Sequence, residues 1–260
     1  MPQSRRSFVV SVGALPALMV PPRLALAQSE AVSPLFAASL VLMGVERVAK
    51  LQLERRLLPE RSAIEGPKAR QRVQAALLQL QDQPKLLAGL SARRKAQFQA
   101  VADEAARFVD APPELASRVF SDSEALMARL GFITTTLSGL VADPMRGAQV
   151  DLLARAGASA LRVGKINFAA AQAPKELGLQ VSARQALIEF SSALEAVGQQ
   201  DLSKAQQQDL QLAQNQWLLF RAVLNEGGLV KDASRLTEVA TTTDRIAESL
   251  SLMAQKALRS

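Results

Sequence analysis

The sequence predicts an all-α protein built as two tandem antiparallel four-helix bundles behind a cleaved N-terminal signal peptide. Three observations carry that expectation. The chain has no Cys, His or Tyr and a single Trp, while Ala, Leu, Gln and other good helix formers dominate. Apolar residues recur at three-and-four spacing through long segments. One stretch also occurs twice. Gly44-Val45-Glu46-Arg47-Val48-Ala49-Lys50-Leu51-Gln52-Leu53 returns 115 positions later as Ser159-Ala160-Leu161-Arg162-Val163-Gly164-Lys165-Ile166-Asn167-Phe168. Helix breakers recur behind each copy, as expected of a duplicated unit.

Residues 1–27 read as an export leader. Arg5 and Arg6 precede the apolar run from Phe8 to Val20, and Ala25-Leu26-Ala27 suits signal peptidase, with cleavage before Gln28. The run is too short to span a bilayer. Ser4-Arg5-Arg6-Ser7-Phe8-Val9 resembles the twin-arginine export signal, and an ordinary Sec signal carrying two arginines is the alternative. Either route predicts a periplasmic protein, and the lack of Cys excludes a lipid-modified cysteine behind the leader.

The remaining chain divides into two segments, 33–141 and 145–258, each expected to hold four helices. A first helix over 33–59 is closed by Pro59. Ser62-Ala63-Ile64-Glu65 reads as a capping box, and Gly66-Pro67 restarts the chain into a helix over 67–84. Ser91 caps a third, over 91–109. Pro112-Pro113 separates it from a fourth, over 113–141, with the stripe Leu115, Val119, Leu126, Leu130, Ile133 and Leu137. Asp143-Pro144 breaks the chain before a fifth helix over 145–172. A sixth follows over 183–197. Ser182-Ala183-Arg184-Gln185 and Ser203-Lys204-Ala205-Gln206 match the Ser-x-x-Gln capping pattern, so the seventh begins at Ser203 and runs to about 225. Gly227-Gly228 stops it, and an eighth fills 230–258. Such stripes belong to bundles of nearly antiparallel helices.

Composition excludes several kinds of chemistry. Without Cys or His there is no thiol nucleophile, no imidazole base, no disulfide and no soft metal site. No carboxylate cluster singles itself out as catalytic, so neither an enzyme nor a cofactor is expected. The formal charge of +7 falls to +4 once Arg5, Arg6 and Arg23 leave with the leader. The basic residues are scattered among acidic ones and aromatics are few, which argues against nucleic acid as a partner.

The repeated stretch is the candidate binding element. Arg47 and Lys50 are three apart, as are Arg162 and Lys165, so each pair shares a helix face. Two neighbouring cations repel unless an anion or carboxylates lie between them, and an arginine fork suits planar oxyanions. Arg155, seven before Arg162, extends the second pair into a possible ladder, whereas its counterpart in the first copy is Leu40. Gly157 and Gly164 would let a partner helix or ligand approach closely. The bland alternative is that the cations reach acidic residues on neighbouring helices. Trp217 reads as a core anchor rather than a ligand platform. The hydroxyls of Thr134–Thr136 and Thr241–Thr243 read as bonded back to their helices rather than lining a pocket.

The pattern resembles the periplasmic sensory N-terminal domain of type IV pili methyl-accepting chemotaxis transducers (PilJ-type), related to the sensor region of NarX-like nitrate/nitrite kinases. Glu46-Arg47-Val48-Ala49-Lys50 and Leu161-Arg162-Val163-Gly164-Lys165 match the end of that family's signature run, Ala154-Arg155 matches its opening Gly-Arg, and Gln214-Asn215-Gln216-Trp217-Leu218-Leu219-Phe220 echoes its Gln-Trp-aromatic cluster. The resemblance spans the two segments as tandem copies. It implies a small oxyanion ligand such as nitrate or nitrite, bound by Arg162, Lys165 and Arg155 and secondarily by Arg47 and Lys50. It also implies a membrane-bound sensor or transducer as partner, and a possible homodimer. The run's second arginine falls on Leu42 and Gly157, a departure that leaves a structural interaction protein with a degenerate ligand site as the alternative.

Overall fold

The central pair of helices explains the rest of the architecture. In the computed structural model, residues 33–82, 89–112, 116–173 and 177–259 are described, and the expected leader, 1–27, lies outside them. Among the described residues eight α-helices follow in order: α1 (Pro34–Glu54), α2 (Pro59–Gln81), α3 (Ala92–Asp110), α4 (Ala116–Ser138), α5 (Pro144–Gln172), α6 (Leu177–Gly198), α7 (Lys204–Val223) and α8 (Leu236–Arg259). The fold is all-α, and among the described residues the one strand-like pairing is an isolated antiparallel bridge, Leu224 with Val230.

The helices α1 and α5 carry the two copies of the repeated stretch; most of α1 is buried, as is α5 from Leu153 to Ala170 apart from Arg155, Ser159 and Arg162. A helix apolar on all sides belongs in an interior, and these two pack against each other along their length. By contrast α2, α3 and α7 bury one stripe each, such as Val73, Ala76, Leu77 and Leu80, or Leu210, Ala213, Trp217 and Phe220. They form the outer layer. The inner helices approach closely because two glycines seven apart face neighbours. A Cβ on Gly157 would come within 2.6 Å of Met43 Sδ, and one on Gly164 within 2.8 Å of Thr243 Oγ1.

The two segments therefore do not stand as separate bundles. The described residues cluster as one compact unit with one continuous core, in which α1 of the first segment packs on α5 of the second. The sequence pattern marks where the unit repeats, but each copy buries its most apolar helix against the other copy.

Several helix boundaries also differ from the sequence expectation. The first helix ends at Glu54, and α2 runs from Pro59 with Pro67 inside it. Pro59 occupies the first turn, where a missing N–H costs nothing. Ser62 does not cap: its hydroxyl donates to the Leu51 carbonyl, 3.0 Å away. The sixth helix starts at Leu177, so Ser182 lies within it, and the last begins at Leu236 behind a 3₁₀ turn over Ala233–Arg235. Ser91 and Ser203 do cap α3 and α7, the latter with a complete capping box through Gln206. Between α7 and α8, buried Asn167 holds the loop. Its amide donates to Gly228 O at 3.2 Å and its carbonyl accepts from Val230 N at 2.8 Å. Gly228 there has φ +81°, a conformation that favours glycine.

Candidate functional site

The repeated motif builds two ion-pair clusters, one around each lysine. Lys165 and Lys50 are both completely buried. In the cluster of the second copy, Lys165 Nζ contacts Glu46 Oε1 at 2.8 Å and Glu124 Oε1 at 2.8 Å, and donates to Ser123 Oγ at 2.9 Å. It also stands 5.2 Å from the centroid of the Phe120 ring. Arg162 forks onto the same Glu124, with Nε 3.0 Å from Oε1 and Nη2 2.7 Å from Oε2, and its Nη1 reaches Glu189 at 2.7 Å. Glu46 comes from α1, Glu124 from α4 and Glu189 from α6.

The cluster of the first copy has the same plan. Lys50 Nζ donates to Ala240 O at 2.8 Å and Thr243 Oγ1 at 3.2 Å, and pairs with Asp244 Oδ1 at 2.9 Å. Arg47 Nε lies 3.3 Å from the same oxygen, and Nη2 donates to Asp244 O at 3.2 Å. Arg61 joins Asp244 to buried Glu54.

Each lysine thus meets a hydroxyl followed by a carboxylate: Ser123-Glu124 in one case, Thr243-Asp244 in the other, 120 positions apart. The pairing is crossed. The lysine on α1 reaches α8 of the second segment, and the lysine on α5 reaches α1 and α4 of the first. Sequence reasoning missed these acidic partners, although the recurring hydroxyl-acid dipeptide was a signal that could have found them.

Of the five residues singled out from the sequence, four fall into the two clusters. Arg155 does not: it pairs with Asp151 at 3.1 Å, donates to Gly131 O at 3.1 Å and contacts Thr135 Oγ1. The expected ladder of Arg155, Arg162 and Lys165 is therefore broken, because Arg155 has acceptors of its own on α4 and α5. Trp217 is a core residue, edge-on to Phe190 with ring centroids 4.4 Å apart. Thr134, Thr135, Thr136, Thr241 and Thr243 bond back to helix carbonyls, and Thr243 also accepts from Lys50.

Burial governs the electrostatics. It raises the Glu46 carboxyl above its ordinary range, against the pull of Lys165, and lowers the Lys50 ammonium against the pull of Asp244. Burial also outweighs Lys50 and Arg61 at Glu54, whose carboxyl is raised. At Glu124, burial is overcome by the Arg162 hydrogen bonds and the Lys165 charge, and at Asp244 by Lys50 and Arg47; both carboxyls lie below their ordinary range.

The sign of the resulting pH dependence follows. Folded Glu46 holds its proton more tightly than unfolded Glu46, so its contribution is fully present below the ordinary carboxylate pKa and is lost as pH rises through the raised value. In Glu46→Gln that loss disappears. The midpoint difference between variant and wild type in urea should shift in favour of the variant as pH rises above 4.5. A difference that stays constant from pH 4 to pH 7 would rule this out.

Among the described residues no group of three acidic, His or Cys side chains is placed to hold a metal, and no helix is long and apolar enough to cross a membrane. Compared with known proteins, the chain matches no family model, no curated protein and no solved structure.

Proposed function

We propose that the protein is an exported, non-catalytic helical interaction module, in which the duplicated Arg-x-x-Lys motif has become an internal lock between the two copies rather than an oxyanion site. The observation that supports this reading is that Arg47, Lys50, Arg162 and Lys165 all pair with the protein's own carboxylates, with both lysines shut away from solvent. A free oxyanion would have to displace Glu124 or Asp244 and leave that carboxylate buried without its cations. The PilJ/NarX-like resemblance makes a membrane-bound sensor or transducer the natural partner class, with the surface of the bundle as the contact.

Nitrate and nitrite sensing is the rival reading, and titration separates the two. With chloride as the control, nitrate and nitrite should give no saturable rise in melting temperature. A saturable rise that Arg162→Ala abolishes would restore the oxyanion sensor. Export is tested separately. The protein should fractionate with the periplasm, and changing Arg5 and Arg6 to Lys should retain the precursor inside the cell; normal export of that variant would point to the Sec route.

A further inference from the structure

Beyond the lock lies a recess that neither cluster uses. It opens between α1, α2 and α8 and has a volume of about 310 Å³, within the range of small-ligand pockets. Its floor is apolar and buried, formed by Met43, Ala69, Ala76, Leu161 and Ala247. Small residues on the facing helices, Ala69, Ala75 and Ala76 of α2 and Ala247 and Ser251 of α8, leave the space open. Two guanidiniums converge at its mouth. Arg47 Nη1 and Arg72 Nη1 each stand 3.4 Å from the same oxygen, Glu248 Oε1. That is well beyond the roughly 2.7–2.9 Å of a well-made ion pair. Glu248 and Arg72 are both exposed, with side chains 56% and 66% accessible, so this carboxylate sits loosely between its cations.

The recess also recurs. A second one, of about 470 Å³, is lined by Ala158 and Ser159 of α5 and by Met127, Ala128 and Gly131 of α4. These are the counterparts of Met43 and Gly44, 115 positions earlier, and of Ala247, Glu248 and Ser251, 120 positions later. Each recess borrows a leucine from the other copy's inner helix, Leu161 in one and Leu42 in the other. A cavity kept at matching places in both copies belongs to the plan of the unit rather than to one imperfect contact. Only the first has two arginines facing a loosely held carboxylate. In the second, Leu40 is replaced by Arg155, which pairs with Asp151, and Glu248 by Ala128.

We infer that the recess between α1, α2 and α8 binds a small organic acid with a compact apolar body, its carboxylate taking the place of Glu248 between Arg47 and Arg72. The apolar body fills the floor, and the ligand's carboxylate draws both guanidiniums to ordinary ion-pair distance while Glu248 swings into solvent. Arg47 keeps its hold on Asp244 through Nε and Nη2, so the lock stays closed.

Isothermal titration of benzoate into the protein purified from expression of the full chain tests this. Benzoate should bind saturably at millimolar concentration. Benzyl alcohol, with the body but no charge, and acetate, with the charge but no body, should each be about tenfold weaker or more. Arg72→Ala should weaken benzoate by about tenfold, while Glu248→Gln, which removes the competing carboxylate, should tighten it severalfold. Both positions are exposed, and circular dichroism confirms that the variants fold. Absence of saturable heat from benzoate with folded wild type, or affinity unchanged in both variants, overturns the inference. Because nitrate has no apolar body and its test runs through Arg162, failure here leaves the lock reading standing, and a nitrate response would leave this one standing.

Discussion

Replacing Lys165 with Met should cost about 3–5 kcal/mol of stability, the scale for removing one partner of a buried ion pair. The methionine fits the space but leaves Glu46 and Glu124 facing each other with only Arg162 to balance them. Lys50→Met should cost less than half as much, because Asp244 keeps Arg47 and Arg61 and one desolvated charge is removed. The contrast is read from urea unfolding midpoints at neutral pH with the slope unchanged. Adding Glu46→Gln to Lys165→Met should recover a substantial part of the loss, since it removes one of the two stranded carboxylates. A Lys165→Met protein within about 1 kcal/mol of wild type would show that the cluster is not the lock described above.

Trp217→Ala should be the other severe substitution, at about 3–5 kcal/mol for an aromatic truncated in a core. The indole packs edge-on to Phe190 of α6, with the Phe220 ring of its own helix 5.8 Å away, and is the largest side chain in the buried stripe that ties α7 to the core. At about 2–4 °C per kcal/mol for a chain of this size, the melting temperature should fall on the order of 10 °C, measured by circular dichroism. A platform for a bound ligand would behave differently: the apo protein would melt nearly unchanged and only a ligand-induced shift would be lost.

Much of the helical plan was legible because it is local. Three-and-four apolar spacing, Ser91 and Ser203 as caps and the break at Asp143-Pro144 are each read within a few residues, and the structure keeps them. The misread starts were also local patterns, but tertiary packing decided them. Ser182 lies within α6 although its neighbours match a capping motif, and Pro67 sits inside α2 rather than at its start. Least legible was the charge pairing. Helical periodicity shows that Arg162 and Lys165 share a face but not which helix that face meets, and Lys165 finds Glu46 at a separation of 119 residues. Glu46 stands beside Arg47 in the very stretch that was singled out, yet points to the lysine of the other copy.

A single copy of the repeated unit carries a buried lysine whose acidic partners sit in the other copy. Alone, it would satisfy that lysine only by two-fold association with an identical chain. Joining the copies through the short turn at 139–143 converts that encounter into an intramolecular one, with an effective concentration set by linker length rather than by expression level. Folding of this chain should accordingly be first order, with an unfolding midpoint independent of dilution, whereas an untethered pair of units would fall apart on dilution.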